Sequence, residues 1–209
     1  DASALEPVCT LIKEGKLRLR AHHILTPHEG ELARCLNLFT GTNTGEIAGK
    51  LADKADKPLG KFASQTSPAL QRRIQGAQQL AALTGACVLA KGNRTVVVDA
   101  NSQVYLLPAA TPWLATAGSG DVLAGLMGGL LALNVRAGAG HVGTTVASAA
   151  ALAPAIAQLA ARLHALAGQL AAEATSPKPA EVTGPKTTYA TGPKSASAVV
   201  AHPITAPEI

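Results

Sequence analysis

The segment Thr111-Pro112-Trp113-Leu114-Ala115-Thr116-Ala117-Gly118-Ser119-Gly120-Asp121 leads directly into Val122-Leu123-Ala124-Gly125-Leu126-Met127. After Asp121, apolar residues recur at intervals of three and four, which predicts one face of a buried helix that ends near Asn134. The first N–H groups of such a helix have no internal partner and lie at the positive end of its dipole. The Gly-x-Gly turn before them therefore predicts a phosphate site at Gly118, Ser119 and Gly120.

Asp121 lies at the mouth of this predicted anion site. A carboxylate is a poor phosphate ligand but a suitable general base, so Asp121 is the predicted catalytic residue. It would accept a proton from a hydroxyl group while the neighbouring amides stabilise charge on a phosphoryl group. The alternative is that Asp121 only caps the helix or complements its dipole.

The composition favours helices packed on a parallel sheet within one domain. Of the 209 residues, 47% are hydrophobic but only 2% are aromatic, so the core must consist mostly of Ala, Leu and Val. The net charge of +5 is not gathered into a basic stripe, which argues against nucleic-acid binding and leaves small acidic ligands open. We find neither a signal peptide nor a membrane-length apolar run, and we expect a cytoplasmic protein without membrane contact.

Cysteines and histidines give no ligand pattern for a metal. Three cysteines are far apart and odd in number, so we expect them to be reduced and buried: Cys9, Cys35 and Cys87. Three histidines and two glutamates fall within ten residues, at His22, His23, His28, Glu29 and Glu31. Their spacing matches no recognised metal site, so none is predicted; a structural zinc is the alternative.

The predicted elements alternate between helices and strands. The segment from Thr40 to Pro68 has little periodicity and predicts an exposed insertion or a lid segment. Three glycines follow Asp121 inside the predicted helix, at Gly125, Gly128 and Gly129, and we expect them to allow close packing against neighbouring helices. The regular elements are a short strand at Ile24-Leu25, helices over 29–38, 69–83 and 146–174, and strands near 87–91, 94–98 and 104–107.

The segment from Pro112 to Gly125 closely resembles the signature of the NAD(P)H-hydrate dehydratases, enzymes with a ribokinase-like fold. Further resemblance lies in Thr26-Pro27-His28-Glu29-Gly30-Glu31, which has Glu29 where the family usually has proline. Asp1-Ala2-Ser3-Ala4-Leu5 is similar to a family string that follows a buried strand midway through the domain. About residues 1–38, 85–133 and 160–174 take part in the resemblance.

The resemblance implies an α/β ribokinase-like three-layer fold with a mostly parallel central sheet flanked by helices. Residues 1–174 would be the C-terminal portion of that domain, with about the first third to half of the usual fold lying upstream. Residues 175–199 would be a flexible Pro/Thr/Lys-rich segment, and residues 200–209 would return to the same domain. Asp1 stands at the start of the chain and is given no role.

The resemblance also implies the ligands. The nucleotide, ADP or ATP, would bind the loop Lys91, Gly92, Asn93, Arg94 and Thr95 together with Gly118, Ser119 and Gly120, and Mg²⁺ would offset the phosphate charge. His28 and Asp121 would contact the substrate, the hydrated cofactor NADHX or NADPHX, and Glu31 would lie near the phosphates or metal. His164 is interpreted as a packed helix histidine.

The implied reaction is the nucleotide-dependent dehydration of NAD(P)H hydrate. Phosphorylation of the ring hydroxyl followed by loss of phosphate would restore NAD(P)H. Two alternatives stay open at this point: a ribokinase-like small-molecule kinase, which would release a stable phosphorylated product, and an inactive nucleotide-binding fragment. The sequence also leaves open whether the protein is a homo-oligomer.

Overall fold

The computed structural model describes residues 1–41, 66–139 and 146–175, and within them the chain forms a four-stranded sheet between two layers of helices. The strands are β1 (Ile24–Leu25), β2 (Cys87–Ala90), β3 (Arg94–Val98) and β4 (Val104–Ala109). The helices are α1 (Leu5–Lys13), α2 (Glu29–Thr40), α3 (Pro68–Thr84), α4 (Ser119–Ala139) and α5 (Val146–Thr175), and short 3₁₀ turns lie at Ala2–Ala4 and Pro112–Leu114.

The α/β class is confirmed, but the prediction of a mostly parallel sheet is wrong for the described strands. The strand order is β1-β2-β3-β4, and only β1 and β2 pair in parallel. The pairs β2–β3 and β3–β4 are antiparallel. The reason is connection length, because β2, β3 and β4 follow one another through tight turns, whereas a parallel pair needs a long crossover.

Strand alternation divides the core into two clusters, which confirms the three-layer arrangement. Val88 and Val96 face α1, α2 and α3 in one cluster, while Leu89 and Val97 face α4 and α5 in the other, and all four are fully buried. Successive side chains of a strand point to opposite faces, so a continuous apolar run is what a sheet covered on both faces requires.

The helix boundaries follow local signals closely. Helix α2 begins at Glu29 as predicted, and α3 begins at Pro68 after Ser67, whose hydroxyl accepts a hydrogen bond from the Leu70 amide at 3.3 Å. Helix α3 ends at Thr84, and Gly85 follows with a φ of 71° as the left-handed cap. Helix α4 begins two residues before Asp121 and runs beyond the predicted end.

The predicted close packing at the three α4 glycines is wrong. A Cβ atom at Gly125, Gly128 or Gly129 would meet no heavy atom of the described residues within 4 Å. The contacts of α4 with the core come instead from side chains such as Met127. Close approach occurs at Gly168 of α5, where a Cβ would lie 2.6 Å from a methyl carbon of Leu114.

All three cysteines are buried and free, as predicted. The part of the predicted insertion from 42 to 65 and all residues after 175 lie outside the described residues, so the domain boundaries at the C-terminal end stay a prediction. Among the helices that the structure describes, none combines the length and apolar character needed to cross a membrane.

Candidate phosphate-binding and catalytic site

The Gly-x-Gly turn forms the start of α4, as the sequence predicts. Gly118 has a φ of 87°, a left-handed conformation that favours glycine, and its carbonyl oxygen accepts hydrogen bonds from the amides of Asp121 at 3.0 Å and Val122 at 3.1 Å. The Gly120 amide has no acceptor among the described residues. An amide hydrogen at the positive end of a helix thus remains available to an anion.

Lys91 reaches this turn from the end of β2. A Cβ atom on Gly120 would lie 3.3 Å from the Lys91 Nζ atom, so the ammonium group rests directly against the glycine. The Lys91 backbone amide donates to the Pro27 carbonyl at 2.8 Å, which fixes the strand end. The structure therefore brings together the lysine loop and the glycine turn that the sequence placed in one site.

Two carboxylates share the Lys91 ammonium group. Its Nζ atom lies 2.6 Å from Asp1 Oδ1 and 3.7 Å from Glu31 Oε2. The three side chains are only 20%, 15% and 9% exposed, so the ion pairs are shielded from water and are stronger than surface pairs. The sequence assigned no role to Asp1, although its position in the Asp-Ala-Ser-Ala-Leu string was a usable signal.

His28 and Glu31 form a reciprocal cap on α2. His28 Nδ1 accepts hydrogen bonds from the amides of Gly30 at 3.0 Å and Glu31 at 3.3 Å, while Glu31 Oε2 accepts one from the His28 amide at 2.7 Å. The His28 side chain is still 54% exposed, so one face of its ring is open to a ligand. The cap also holds Glu31 in the position from which it faces Lys91.

Asp121 lies in the first turn of α4 with an exposed side chain. Its carboxylate has neither a hydrogen bond nor an ion pair with the described part of the chain. The carboxylate oxygens are therefore not occupied by a protein cation or donor from those residues and can accept a substrate proton. Helical spacing puts Asp121 on the same face as Ala124 and Gly128.

Ala124 and Gly128 line a cavity of about 480 Å³, and Asp121 lies one helical turn before this part of α4 without lining the cavity itself. The walls are mainly apolar, and Asp1 joins them, so the cavity is continuous with the charged group around Lys91. Thr26 lies in the wall with its hydroxyl buried and without a hydrogen-bond partner among the described residues. His22 also lines the cavity; burial, with His23 and Arg20 nearby, lowers its pKa below the ordinary value.

The remaining predicted nucleotide-binding residues form the turn between β2 and β3. The Asn93 side-chain oxygen accepts a hydrogen bond from the Arg94 amide at 2.8 Å, and the Thr95 hydroxyl donates to the Gly92 carbonyl at 3.4 Å. The Asn93 side-chain oxygen and the Thr95 hydroxyl therefore stabilise the turn itself, and neither is free of a protein hydrogen bond. Thr95 also borders a second cavity of about 230 Å³, between β4 and α5.

Arg73 of α3 packs over this turn and was not predicted as a site residue. Its guanidinium group donates to the Arg94 carbonyl at 3.2 Å and to Glu29 at 3.3 Å. A Cβ atom on Gly92 would lie 2.5 Å from the guanidinium carbon, so a larger residue there would displace the end of the Arg73 side chain. Because Arg73 lies in an ordinary helix pattern, no local signal could have found it.

Ser119 and His164 lie beneath the glycine turn. Ser119 Oγ and His164 Nε2 are joined by a hydrogen bond at 3.2 Å, and the two residues are 3% and 7% exposed. The Ser119 side chain therefore points into the core, and only its backbone faces the predicted phosphate site. The interpretation of His164 as a packed histidine agrees with this burial.

Among the described residues, no three His, Cys, Asp or Glu side chains converge as a metal cage. The carboxylates of Asp1 and Glu31 lie on either side of Lys91. Magnesium is usually held by one or two carboxylates, waters and substrate phosphates rather than by a complete protein cage. The residues present thus fit a nucleotide-borne Mg²⁺.

Comparison with known proteins now gives the family. The sequence model of the NAD(P)H-hydrate dehydratases matches residues 1–180. The chain belongs to this family. It is 40% identical over 115 residues to the bifunctional NAD(P)H-hydrate repair enzyme Nnr of Mycobacterium tuberculosis, a match that covers 55% of this chain and 18% of that protein. It is 35% identical over 136 residues to the ADP-dependent (S)-NAD(P)H-hydrate dehydratase of Neisseria meningitidis, covering 65% of this chain and 37% of that enzyme.

The chain thus spans well under half the length of these relatives. Among solved structures, the ADP/ATP-dependent NAD(P)H-hydrate dehydratase of Bacillus subtilis, co-crystallised with ATP and Mg²⁺, is 26% identical. That comparison has a TM-score of 0.40 and covers 70% of this chain and 38% of that one. The family assignment rests on the sequence match.

Proposed function

We propose that this protein catalyses the nucleotide-dependent dehydration of NAD(P)H hydrate. The observation that carries the proposal is the meeting of Lys91, Gly120 and Asp121 at the start of one helix, in a chain of the dehydratase family. A cation, a free amide and an unpaired carboxylate are the groups that phosphoryl transfer to a hydroxyl requires. The names of the Mycobacterium and Neisseria relatives support the same reaction.

In the first step, Asp121 accepts the proton of the ring hydroxyl as its oxygen attacks the terminal phosphoryl group of the nucleotide. The new O–P bond forms while the bond to the leaving phosphate of the nucleotide breaks. The Gly120 amide and the Lys91 ammonium group stabilise the negative charge that the phosphoryl oxygens carry. His28 has an exposed side chain and caps the helix that carries Glu31, the partner of Lys91, and we assign it as a substrate contact.

In the second step, the C–O bond to the new phosphate breaks and a ring proton is lost, which restores the double bond of the dihydronicotinamide. A phosphate is a far better leaving group than hydroxide, and this difference is the reason for consuming a nucleotide. Mg²⁺, when bound, would supply further charge neutralisation on the phosphates, and Asp1 and Glu31 are the carboxylates available to hold it.

The proposed nucleotide contacts are Lys91 to Thr95 and the backbone of Gly118, Ser119 and Gly120. We place residues 1–174 in the dehydratase domain, with 175–199 as a connecting segment and 200–209 returning to it. The competing function is a small-molecule kinase with the same anion site and base. It differs in its product, because a kinase releases the phosphorylated compound.

The test is recovery of the reduced-nicotinamide absorbance from NADH hydrate with ADP, with ATP and with neither. The proposal predicts recovery that depends on a nucleotide, and the more effective nucleotide identifies the phosphoryl donor. The same assay with NADPH hydrate determines the cofactor preference. Absence of recovery from a folded protein that still binds ADP would contradict the dehydratase and leave the kinase as the better function.

A further inference from the structure

The buried pair below the glycine turn has a geometry that the proposed reaction does not use. His164 belongs to α5, 45 residues along the chain from Ser119, and its Nε2 atom meets Ser119 Oγ at 3.2 Å. Neither residue is more than 7% exposed. A buried imidazole and a buried hydroxyl are each costly without a partner, so each group stabilises the position of the other.

Ser119 is also the first residue of α4 and lies between the two glycines of the predicted phosphate site. Its carbonyl and amide are part of the backbone that aims the free Gly120 amide. Gly118 has no side chain to restrict it, and it adopts a φ of 87°. The Ser119 side chain is consequently the anchor by which the turn is attached to the core.

A second contact fixes α5 against the same segment. Gly168 lies one helical turn after His164, and the Leu114 side chain packs so closely there that a Cβ atom would be 2.6 Å away. The segment from Leu114 to Ser119 is therefore held to α5 at both ends. Trp113, the single tryptophan of the chain, is half-buried and directly precedes Leu114.

We infer that His164 is a positioning residue, which holds Ser119 so that the Gly118–Gly120 backbone presents its free amide to the nucleotide phosphate. His164 itself touches no phosphate and acts only through Ser119. This inference rests on the proposed function, because it assigns the turn to a nucleotide. It predicts that the pair determines nucleotide affinity although neither side chain faces the ligand.

The test is direct titration of the protein with ADP and with ATP by calorimetry, alongside the Trp113 fluorescence spectrum. His164→Phe fills the space without the hydrogen bond and should weaken binding about tenfold, which corresponds to the loss of one hydrogen bond. His164→Gln keeps a donor and an acceptor and should restore affinity to within about threefold of the wild type. Leu163→Ala, at the exposed neighbour on α5, is the matched control and should change neither affinity nor spectrum.

A double-mutant cycle separates positioning from general loss of structure. Ser119→Ala alone should weaken binding by a similar factor to His164→Phe, and the double variant should bind no worse than either single variant. Ser119→Ala also serves where His164→Phe does not fold. Additive losses, or a glutamine variant as weak as the phenylalanine variant, would overturn the inference.

The outcomes also separate this inference from the proposed function. If the wild type binds a nucleotide and every variant binds it equally well, the positioning role of His164 is refuted and the dehydratase proposal stands. If the folded wild type binds neither ADP nor ATP, both are refuted. A binding loss that glutamine rescues supports the positioning role even when the reaction proves to be a kinase reaction.

Discussion

The two sides of the Gly118–Gly120 turn differ in charge and in access to solvent. On one side, Lys91 is held by Asp1 and Glu31, and the exposed carboxylate of Asp121 belongs to the first turn of α4, directly after Gly120. On the other side, Ser119 and His164 form a buried hydrogen bond. Burial lowers the pKa of His164 below its ordinary value, and the proximity of Ser119 partly opposes that effect.

Because of this difference, the charged groups on the exposed side can exchange a protein partner for a ligand, whereas the buried pair keeps its hydrogen bond. An arriving phosphate can replace a carboxylate as the partner of Lys91, because both are anions that bind an ammonium group. The Ser119–His164 pair has no access to the ligand and keeps its partner throughout. Chemistry is therefore expected from the charged side and positioning from the buried side, and the following changes test that division.

The largest effect is expected from Asp121→Asn. Loss of a general base reduces turnover about 10²- to 10⁴-fold, whereas ADP affinity should stay within about threefold, because Asp121 is not a phosphate ligand in this account. Steady-state rates and ADP titration measure the two quantities. Asp99→Asn is the matched control, since the Asp99 side chain accepts turn hydrogen bonds from the Asn101 and Gln103 amides in the β3–β4 connection. Unchanged turnover in Asp121→Asn would exclude its role as the base.

The next largest effect is expected from Lys91→Met. Hydrogen bonds to charged groups contribute about 1.5–3 kcal/mol, so ADP affinity should fall about 10- to 100-fold. The variant also leaves two carboxylates facing the phosphate without a cation. Lys16→Met is the control, because the Lys16–Glu14 ion pair is exposed and remote from the turn. Equal ADP affinity in the two variants would contradict the role given to Lys91.

A smaller effect is expected in the pH dependence of stability. Burial lowers the pKa of both His164 and His22 from 6.5, so the unfolded chain binds protons more readily than the folded chain. Their contribution to stability is complete above about pH 6.5 and decreases as the pH falls below it towards the folded-state pKa. This contribution is measured by urea unfolding of the wild type and of His164→Gln at about pH 7.5 and about pH 5.5. These two pH values lie on either side of the ordinary histidine pKa.

The variant should lose less stability than the wild type between the two pH values. The comparison between the proteins removes the contribution of carboxylates, which titrate equally in both. A wild type that gains stability on acidification relative to His164→Gln would mean that the folded state favours the protonated imidazole, contrary to its burial.

The smallest effect is expected from alanine at two helical glycines. Gly125→Ala adds a Cβ where no described atom lies within 4 Å, and it should raise the free energy of unfolding by up to about 1 kcal/mol, the difference in helix propensity. Gly168→Ala places a Cβ 2.6 Å from Leu114 and should lower stability by about 1–3 kcal/mol through overpacking. Thermal unfolding measures both, and a stabilising Gly168→Ala would show that α5 does not clamp the turn.

Local patterns predicted the parts of the site that lie within one turn or loop. The Gly-x-Gly spacing before an apolar helix predicts an anion site at the start of α4, whereas the place of Lys91 beside that turn was implied by the family resemblance and not by the Lys91-Gly92 pair alone. The start of α2 at Glu29 followed from the acidic residues of its first turn, whereas the cap that His28 forms there was not predicted. The glycine turn and the start of α2 are each formed by residues close in sequence, so their spacing carries the information.

Contacts between distant parts of the chain could not be predicted in this way. Lys91 pairs with Asp1 across 90 residues, and Arg73 pairs with Glu29 across 44. Such contacts depend on how the helices pack on the sheet, which spacing does not encode. The sheet direction was mispredicted for a different reason, because a family resemblance was given more weight than the two tight turns that make β2, β3 and β4 antiparallel.

The most direct test of the account is the ratio of inorganic phosphate released to NADH restored, measured together with a search for a phosphorylated product. The account predicts one phosphate for each NADH, no accumulation of phosphorylated hydrate, and loss of both signals in Asp121→Asn. A stable phosphorylated compound, or phosphate release without restored NADH, would contradict the dehydratase and show that the glycine turn serves a different acceptor.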